Sequence, residues 1–152
     1  MEYFWVIGGG LLQIPIIEKL KQLDFKTIVS DQSTDCVCSD LCDVFFDIDI
    51  FNIEDHIEKA KGILSRGDKI VGVLAAGIDA PITMSALNEF LGIYGVSQST
   101  SEVVHNKAKF RKKMAQLNFP TPDFKEFGNH EYLQFSDYLD TLTLPFIIKN
   151  VD

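Results

Sequence analysis

The sequence predicts an α/β protein whose first part is a Rossmann-like domain with a doubly wound parallel sheet. Short apolar segments alternate with segments of helical periodicity from residue 3 onward. Two of the apolar segments run directly into glycines. The apolar segments are continuous rather than alternating, which is typical of parallel strands covered by helices on both faces.

The first strand and helix are the clearest pair. Residues 3–7 are aromatic or β-branched and run into Gly8, Gly9 and Gly10. A helix is predicted next, with Pro15 in its early turns, where a missing N–H costs little. Its apolar positions recur at intervals of three and four residues: Leu12, Ile16, Ile17, Leu20 and Leu23.

The alternation continues to about residue 105. Strands are predicted over 26–30, ending at Asp31, and over 44–48, followed by a helix over 53–64. The segment "KIVGVLAAG" predicts a buried strand ending near Gly77, and "APITMSALNEFLG" predicts a helix that Gly92 closes. A short strand, "IYGV", comes before the hydroxyl-rich residues 97–101.

The composition changes after residue 105. "NKAKFRKKMAQLNFPTPDFKEF" predicts a basic helix, a turn and a short strand, and "NHEYLQFSDYLDTL" predicts another helix. "LPFIIKN" predicts a buried final strand with Lys149 at its end. Two short strands are too little sheet for an independent domain. We therefore predict a first domain over 1–105 and the truncated beginning of a second over 106–152.

Charge and composition exclude several classes of protein. A net charge of -8 argues against a sequence-independent nucleic-acid binder. Five basic residues between 107 and 113 are an exception, which we interpret as a solvated helix face more readily than as a site. No apolar stretch approaches the roughly 20 residues that span a bilayer, and no charged leader begins the chain. We expect a cytoplasmic protein with no membrane partner.

The cysteines and histidines suggest no metal centre. Cys36, Cys38 and Cys42 form a C-x-C-x3-C pattern with no histidine nearby, so we interpret them as reduced, partly buried thiols. The lone histidines are interpreted as surface or helix-end residues: His56, His105 and His130. No catalytic triad is recognisable.

The glycine loop allows three interpretations. Gly8 and Gly10 match two positions of the dinucleotide pattern G-x-G-x-x-G, but Gln13 replaces the third glycine, and Asp31 lies where a ribose-binding acid would. The loop could bind NAD or NADP, could hold a substrate or phosphate at the strand ends, or could simply be a tight turn with Asp31 capping a loop. Asp79 similarly could face this crevice or cap the helix that Pro81 enters.

Taken together, the residues resemble the beginning of an ATP-grasp enzyme. The motifs that carry the resemblance are the asparagine–lysine pair before the basic helix, "PTPDF", and the apolar segment ending in Lys149. The chain is most similar to the group that contains the carbamoyl-phosphate synthase large chain and biotin carboxylase. The resemblance implies a pre-ATP-grasp domain followed by the start of a lobe that holds Mg-ATP.

The resemblance also implies site residues and a reaction. Lys107 matches a cation that reaches the nucleotide phosphates, and Lys149 matches a strand lysine near the adenine and α-phosphate. Gly9, Gly10 and Asp79 would lie near part of the substrate. Such enzymes activate a carboxylate or bicarbonate as an acyl phosphate, with magnesium ligands expected beyond residue 152. The chain alone is therefore expected to be inactive.

Two other classes stay open. A dehydrogenase-type module would bind NAD or NADP through the glycine loop and Asp31, and a non-catalytic interaction domain would need neither site. The sequence does not name the carboxylate or the nucleophile. It also does not decide whether the protein is a homo-oligomer.

Overall fold

The computed structural model describes residues 1–151 as four strands and six α-helices in two compact units, Met1–Glu102 and Val103–Asp152. The strands are β1 (Glu2–Ile7), β2 (Lys26–Asp31), β3 (Val44–Asp47) and β4 (Lys69–Leu74). The helices are α1 (Ile14–Gln22), α2 (Ile53–Leu64), α3 (Pro81–Leu91), α4 (Gln98–His105), α5 (Lys107–Gln116) and α6 (Tyr132–Leu139). A 3-10 turn, Leu11–Gln13, leads into α1. Among these residues no helix is long and apolar enough to cross a membrane.

The first unit contains a parallel sheet with the order β3-β2-β1-β4. All three strand pairings are parallel, and Trp5 of β1 lies between Ile28 of β2 and Val73 of β4. The chain builds outward from β1 to β2 and β3, then returns to the other side of β1 for β4. This arrangement confirms the predicted α/β class with a parallel sheet.

Helices cover both faces of the sheet, which explains why its strands are continuously apolar. On one face Val6 and Val29 pack with Ile17 and Leu20 of α1. On the other face lies the larger core cluster, which includes residues from β1, α2 and α3, among them Trp5, Ile63 and Leu87. Successive residues of β1 therefore enter opposite cores, as the two-residue period of a strand requires.

A buried hydrogen-bonded network crosses the larger core and corrects one prediction. His56 is fully buried, not a surface residue as the sequence suggested. Its Nε2 lies 2.9 Å from Ser30 Oγ, its Nδ1 lies 2.6 Å from the Asn52 carbonyl oxygen, and Trp5 Nε1 donates to the same Ser30 Oγ. Burial lowers the pKa of His56 more than the hydrogen bond to Asn52 raises it. His56 is therefore a neutral core residue.

Three predicted strands are absent from the part of the chain that the structure describes. Residues 93–96 follow Gly92, whose left-handed conformation (φ 67°) closes α3, and they continue as a loop. Residues 120–127 contain no strand, and neither do residues 145–148. Ile147 and Ile148 are 80% and 63% exposed, so the prediction of a buried final strand is wrong.

Candidate functional site

The topology of the sheet predicts a crevice at the carboxyl ends of β1 and β4. These strands are neighbours, but the chain leaves β1 for α1 on one face and β4 for α3 on the other. The two loops, residues 8–13 and 75–80, therefore diverge. Doubly wound folds place their ligands at such a point. We call this region the switch-point crevice.

Close packing explains the first two glycines of the loop. Gly8 has φ +89°, and a β-carbon there would lie 2.7 Å from Ile78 Cδ1. A β-carbon at Gly9 would lie 2.3 Å from Cys36 Sγ. Both positions therefore favour glycine before any ligand is considered.

Protein acceptors already use the N–H groups of these two glycines. The Gly8 N–H donates to the Ser30 carbonyl oxygen at 2.8 Å, and the Gly9 N–H donates to Asp31 Oδ2 at 2.8 Å. Asp31 Oδ1 accepts from the Ser33 N–H at 2.9 Å. Because both oxygens of Asp31 are engaged and Cys36 packs over Gly9, the geometry favours the loop-capping interpretation of Asp31 over ribose binding.

The loop after β4 packs against the same crossover. Gly77 has φ +67°, and a β-carbon there would lie 2.8 Å from Leu12 Cδ1. Gln13 is only 2% exposed, and its Nε2 donates to the Ala76 carbonyl oxygen. Asp79 is exposed and precedes Ala80, which is the N-cap residue of α3. Leu12 and Gln13 thus join the two loops at the base of the crevice.

The carboxyl edge of the sheet is acidic. The segments that follow the four strands, residues 8–13, 31–36, 47–52 and 75–80, contain no lysine or arginine. They carry five aspartates: Asp31, Asp35, Asp47, Asp49 and Asp79. Lys26 and Lys69 instead begin strands, at the opposite edge. The sign of this charge disfavours an anion at the switch-point crevice.

In the second unit, the backbone at Lys107 contacts the chain segment that contains Lys149. These are the two lysines predicted to bind the nucleotide. Asn106 is the N-cap of α5, and its side chain accepts from the Lys109 N–H at 2.8 Å. Lys107 is the first residue of α5, and its N–H donates to the Val151 carbonyl oxygen at 2.7 Å. Lys149 lies two residues before that contact. We call Lys107 and Lys149 the lysine pair.

Both ammonium groups of the lysine pair are available to an anion within the described part of the chain. Both residues are exposed, and neither forms an ion pair with any residue in the range 1–151. Two other basic residues of α5 already have side-chain partners. Lys112 pairs with Glu126 at 2.6 Å, and Arg111 donates to Thr121 Oγ1 at 3.3 Å.

The three cysteines are free, and two of their thiols donate to backbone carbonyl oxygens. Burial raises the pKa of Cys36, Cys38 and Cys42, which keeps the thiols protonated. Within residues 1–151 no group of three or more histidine, cysteine or acidic side chains is arranged to hold a metal ion.

The structure therefore places the predicted site residues in two groups. Gly9, Gly10 and Asp79 belong to the loops of the first unit, and the lysine pair belongs to the second. The sequence analysis missed two contributors. Gln13 was noted only as a missing glycine, and Asn106 was not identified as the cap that begins α5.

Solved structures with the same fold are ligases and carboxylases. Phosphoribosylglycinamide synthetase from Anaerococcus prevotii matches 95% of this chain and 35% of its own, at 18% identity and a TM-score of 0.70. L-amino acid ligase from Bacillus licheniformis matches 96% and 34%, at 19% identity and a TM-score of 0.70. No protein-family model matches the sequence, and a comparison with curated proteins gives no match.

A third structure was solved with ligands. It is the biotin carboxylase domain of the Hydrogenobacter thermophilus 2-oxoglutarate carboxylase, in complex with MgADP and bicarbonate. It matches 90% of this chain and 32% of its own, at 17% identity and a TM-score of 0.59.

These proteins share the ATP-grasp type of fold. Our chain shares its fold with a part of each of these enzymes and spans about a third of their length.

Proposed function

We propose that this chain is the N-terminal part of an ATP-dependent carboxylate–amine ligase of the ATP-grasp type, similar to the carbamoyl-phosphate synthase large chain. Residues 1–105 would be the pre-ATP-grasp domain and residues 106–152 the beginning of the nucleotide lobe. The observation that carries the proposal is the shared fold, which extends over nearly the whole chain in several ligases. The activity belongs to the parent protein rather than to this chain alone.

The lysine pair suits the phosphates of ATP. The backbone hydrogen bond between the Lys107 N–H and the Val151 carbonyl oxygen brings the start of α5 to the segment that contains Lys149. An ammonium group is a compact point charge that can follow a phosphate without a fixed approach angle. The start of α5 adds the positive end of the helix dipole, while its Lys107 and Lys109 N–H groups already donate to Val151 and Asn106. Magnesium, whose ligands we expect beyond residue 152, would neutralise further phosphate charge.

The proposed reaction needs little covalent chemistry from the protein. A carboxylate or bicarbonate oxygen attacks the γ-phosphorus and ADP leaves with the electrons of the broken bond. An amine then attacks the acyl carbon, loses a proton and expels phosphate. Positioning and charge stabilisation supply most of the acceleration in such transfers. This agrees with the absence of a recognisable catalytic triad.

Alanine substitution in the parent protein tests the proposal. Lys107→Ala and Lys149→Ala together should weaken ATP binding by about a hundredfold or more, because each hydrogen bond from a charged group is worth about 1.5–3 kcal/mol and about 1.4 kcal/mol is tenfold in affinity. Isothermal titration with MgATP measures the effect. Lys109→Ala with Lys113→Ala is the matched control, because it removes two exposed lysines from the same helix. Equal affinity in the lysine-pair variant and the unmodified protein would contradict the assignment.

A further inference from the structure

One buried side-chain oxygen of α3 has no hydrogen-bond partner. Within residues 1–151, Asn88 Oδ1 is the only buried side-chain oxygen or nitrogen atom in this state. Asn88 is 6% exposed, and its backbone carbonyl oxygen is satisfied, because it accepts from the Ile93 N–H at 2.9 Å. A buried acceptor without a donor costs stability, so a state of the protein that supplies the donor is favoured.

The backbone that lies against this side chain also lacks partners. A β-carbon at Gly95 would be 3.3 Å from Asn88 Nδ2, so the glycine packs directly on the amide. Within residues 1–151, the backbone N–H and C=O groups of Tyr94, Gly95 and Val96 form no hydrogen bonds. Tyr94 is fully exposed and Val96 is 50% exposed. We call residues 94–96 the unpaired segment.

The unpaired segment is fixed at both of its ends. Ile93 packs against the larger core cluster, which contains Val73 of β4. The Gln98 N–H donates to Glu89 Oε1 at 2.8 Å. The segment has the composition of a strand and a fixed position on the first unit, and it lacks a neighbouring strand.

The surface around the unpaired segment suits a second copy of this chain. Residues 90–101 contain no charged side chain. The acids that flank them are engaged, because Glu89 accepts from the Gln98 N–H and Glu102 accepts from the Gln98 side chain at 3.1 Å. Two copies of a chain with a net charge of -8 repel each other. An uncharged surface is therefore where they can approach without facing like charges.

We propose that the unpaired segment is a dimer interface, where it pairs with the same segment of a second copy as two antiparallel strands. A two-fold axis at Gly95 makes the contact self-complementary, so Tyr94 of each copy lies opposite Val96 of the other. Aromatic and β-branched residues form favourable cross-strand pairs. Successive backbone groups of a strand point to opposite sides, so the Gly95 N–H points inward and donates to Asn88 Oδ1. This dimer does not depend on the proposed ligase function.

Sedimentation equilibrium of the 152-residue chain tests the dimer. Two short strands bury little surface, so we expect a dissociation constant on the order of 100 μM, measurable between about 10 μM and about 1 mM protein. Tyr94→Asp places a carboxylate in the interface and should weaken dimerisation about tenfold or more. Tyr132→Asp is the matched control, because Tyr132 is an exposed tyrosine of α6 in the second unit. Its dissociation constant should be unchanged.

Two further measurements examine the contact itself. Hydrogen exchange followed by NMR should show that the backbone amides of Tyr94, Gly95 and Val96 become protected as the protein concentration rises. Asn88→Ala should weaken dimerisation about tenfold. Its amide has no partner for Oδ1 in the single chain, so the free energy of unfolding at low protein concentration should not fall with it.

Several results would overturn the inference. A chain that stays monomeric over the whole concentration range would do so, as would equal dimerisation of Tyr94→Asp and the unmodified chain. Loss of dimerisation in Tyr132→Asp but not in Tyr94→Asp would place the interface on α6 instead. Amides of the unpaired segment that exchange equally fast at all concentrations would also contradict strand pairing.

Discussion

At the scale of single residues, the hydrogen bonds of His56 fix its protonation state. The Asn52 carbonyl oxygen can only accept, so Nδ1 must carry the proton. Nε2 then accepts from the Ser30 hydroxyl, whose oxygen accepts from Trp5 Nε1. Each side-chain group in the chain of hydrogen bonds has a partner, so the neutral imidazole suits this site and a charged one does not.

The neutral state of His56 predicts how stability depends on pH. Its folded pKa is lowered, so the unfolded chain binds this proton first as pH falls. The contribution of neutral His56 to the free energy of unfolding is present in full above the ordinary histidine pKa of about 6.5. It is lost as pH falls below that value, by at most about 1.4 kcal/mol per pH unit. Urea unfolding at several values between pH 7.5 and pH 5 measures the slope.

Two substitutions serve as controls for this slope. His56→Gln should lower stability at pH 7.5 and flatten the curve between pH 6.5 and pH 5, because the buried titrating group is gone. His130→Gln changes an exposed histidine and should leave the slope as it was. A slope that survives in His56→Gln would show that other groups produce it.

At the scale of elements, the loop after β1 is held by the loop after β2. The Cys38 N–H donates to the Gly9 carbonyl oxygen at 3.1 Å, and the Cys38 thiol donates to the Gly10 carbonyl oxygen at 3.2 Å. Asp31 accepts from the Gly9 N–H. The glycine loop is therefore shaped by neighbouring protein groups on both sides.

This packing predicts opposite effects for two glycine substitutions. Gly9→Ala should destabilise the protein by about 1–3 kcal/mol, because its β-carbon would overlap Cys36 Sγ. Gly62→Ala, inside α2 with open space around it, should stabilise by about 0.5–1 kcal/mol through helix propensity. Denaturant unfolding compares the two. Equal stability of Gly9→Ala and the unmodified chain would mean that Cys36 can move away from the new β-carbon with no loss of free energy.

The sequence predicted the four observed strands and every observed helix except α4, and its three false elements are all strands, for a physical reason. The predicted α2 (53–64) has the observed bounds, and Gly92 closes α3 as expected. A helix satisfies its hydrogen bonds within one segment, so local periodicity is enough to locate it. Residues 93–96 and 145–148 have strand-like composition, but a strand needs a neighbouring strand, which composition does not supply.

The same limit applies to the candidate site. Gly9 could be predicted as a site residue because glycine next to a strand end is a local signal. The burial of Gln13 and its bond to Ala76 depend on a contact across 63 positions of the chain, which no local pattern contains. The engagement of Asp31 with Gly9 depends on the loops of two neighbouring strands in the same way.

At the scale of the whole molecule, the two units differ in how much they bury. The first unit contains both core clusters. Of residues 103–151, Ala108 alone is buried. Local stability follows buried contacts, because opening a poorly buried segment costs little.

Hydrogen exchange measured by mass spectrometry should separate the units. In the 152-residue chain, backbone amides in α5 and α6 should exchange much faster than those in β1 and β2. Strand amides of the central sheet should exchange only through global unfolding of the first unit. Equal protection in α5 and β1 would contradict this expectation and would indicate one cooperative unit.

Trp5 is the sole indole of this sequence, and it lies at zero exposure in the first unit with its N–H bonded to Ser30. Tryptophan fluorescence excited near the red edge of the absorption band therefore reports the unfolding of the sheet. It does not report the unfolding of residues after 102. Melting curves recorded by tryptophan fluorescence and by far-ultraviolet circular dichroism will therefore differ where α5 and α6 unfold at a lower temperature than the sheet.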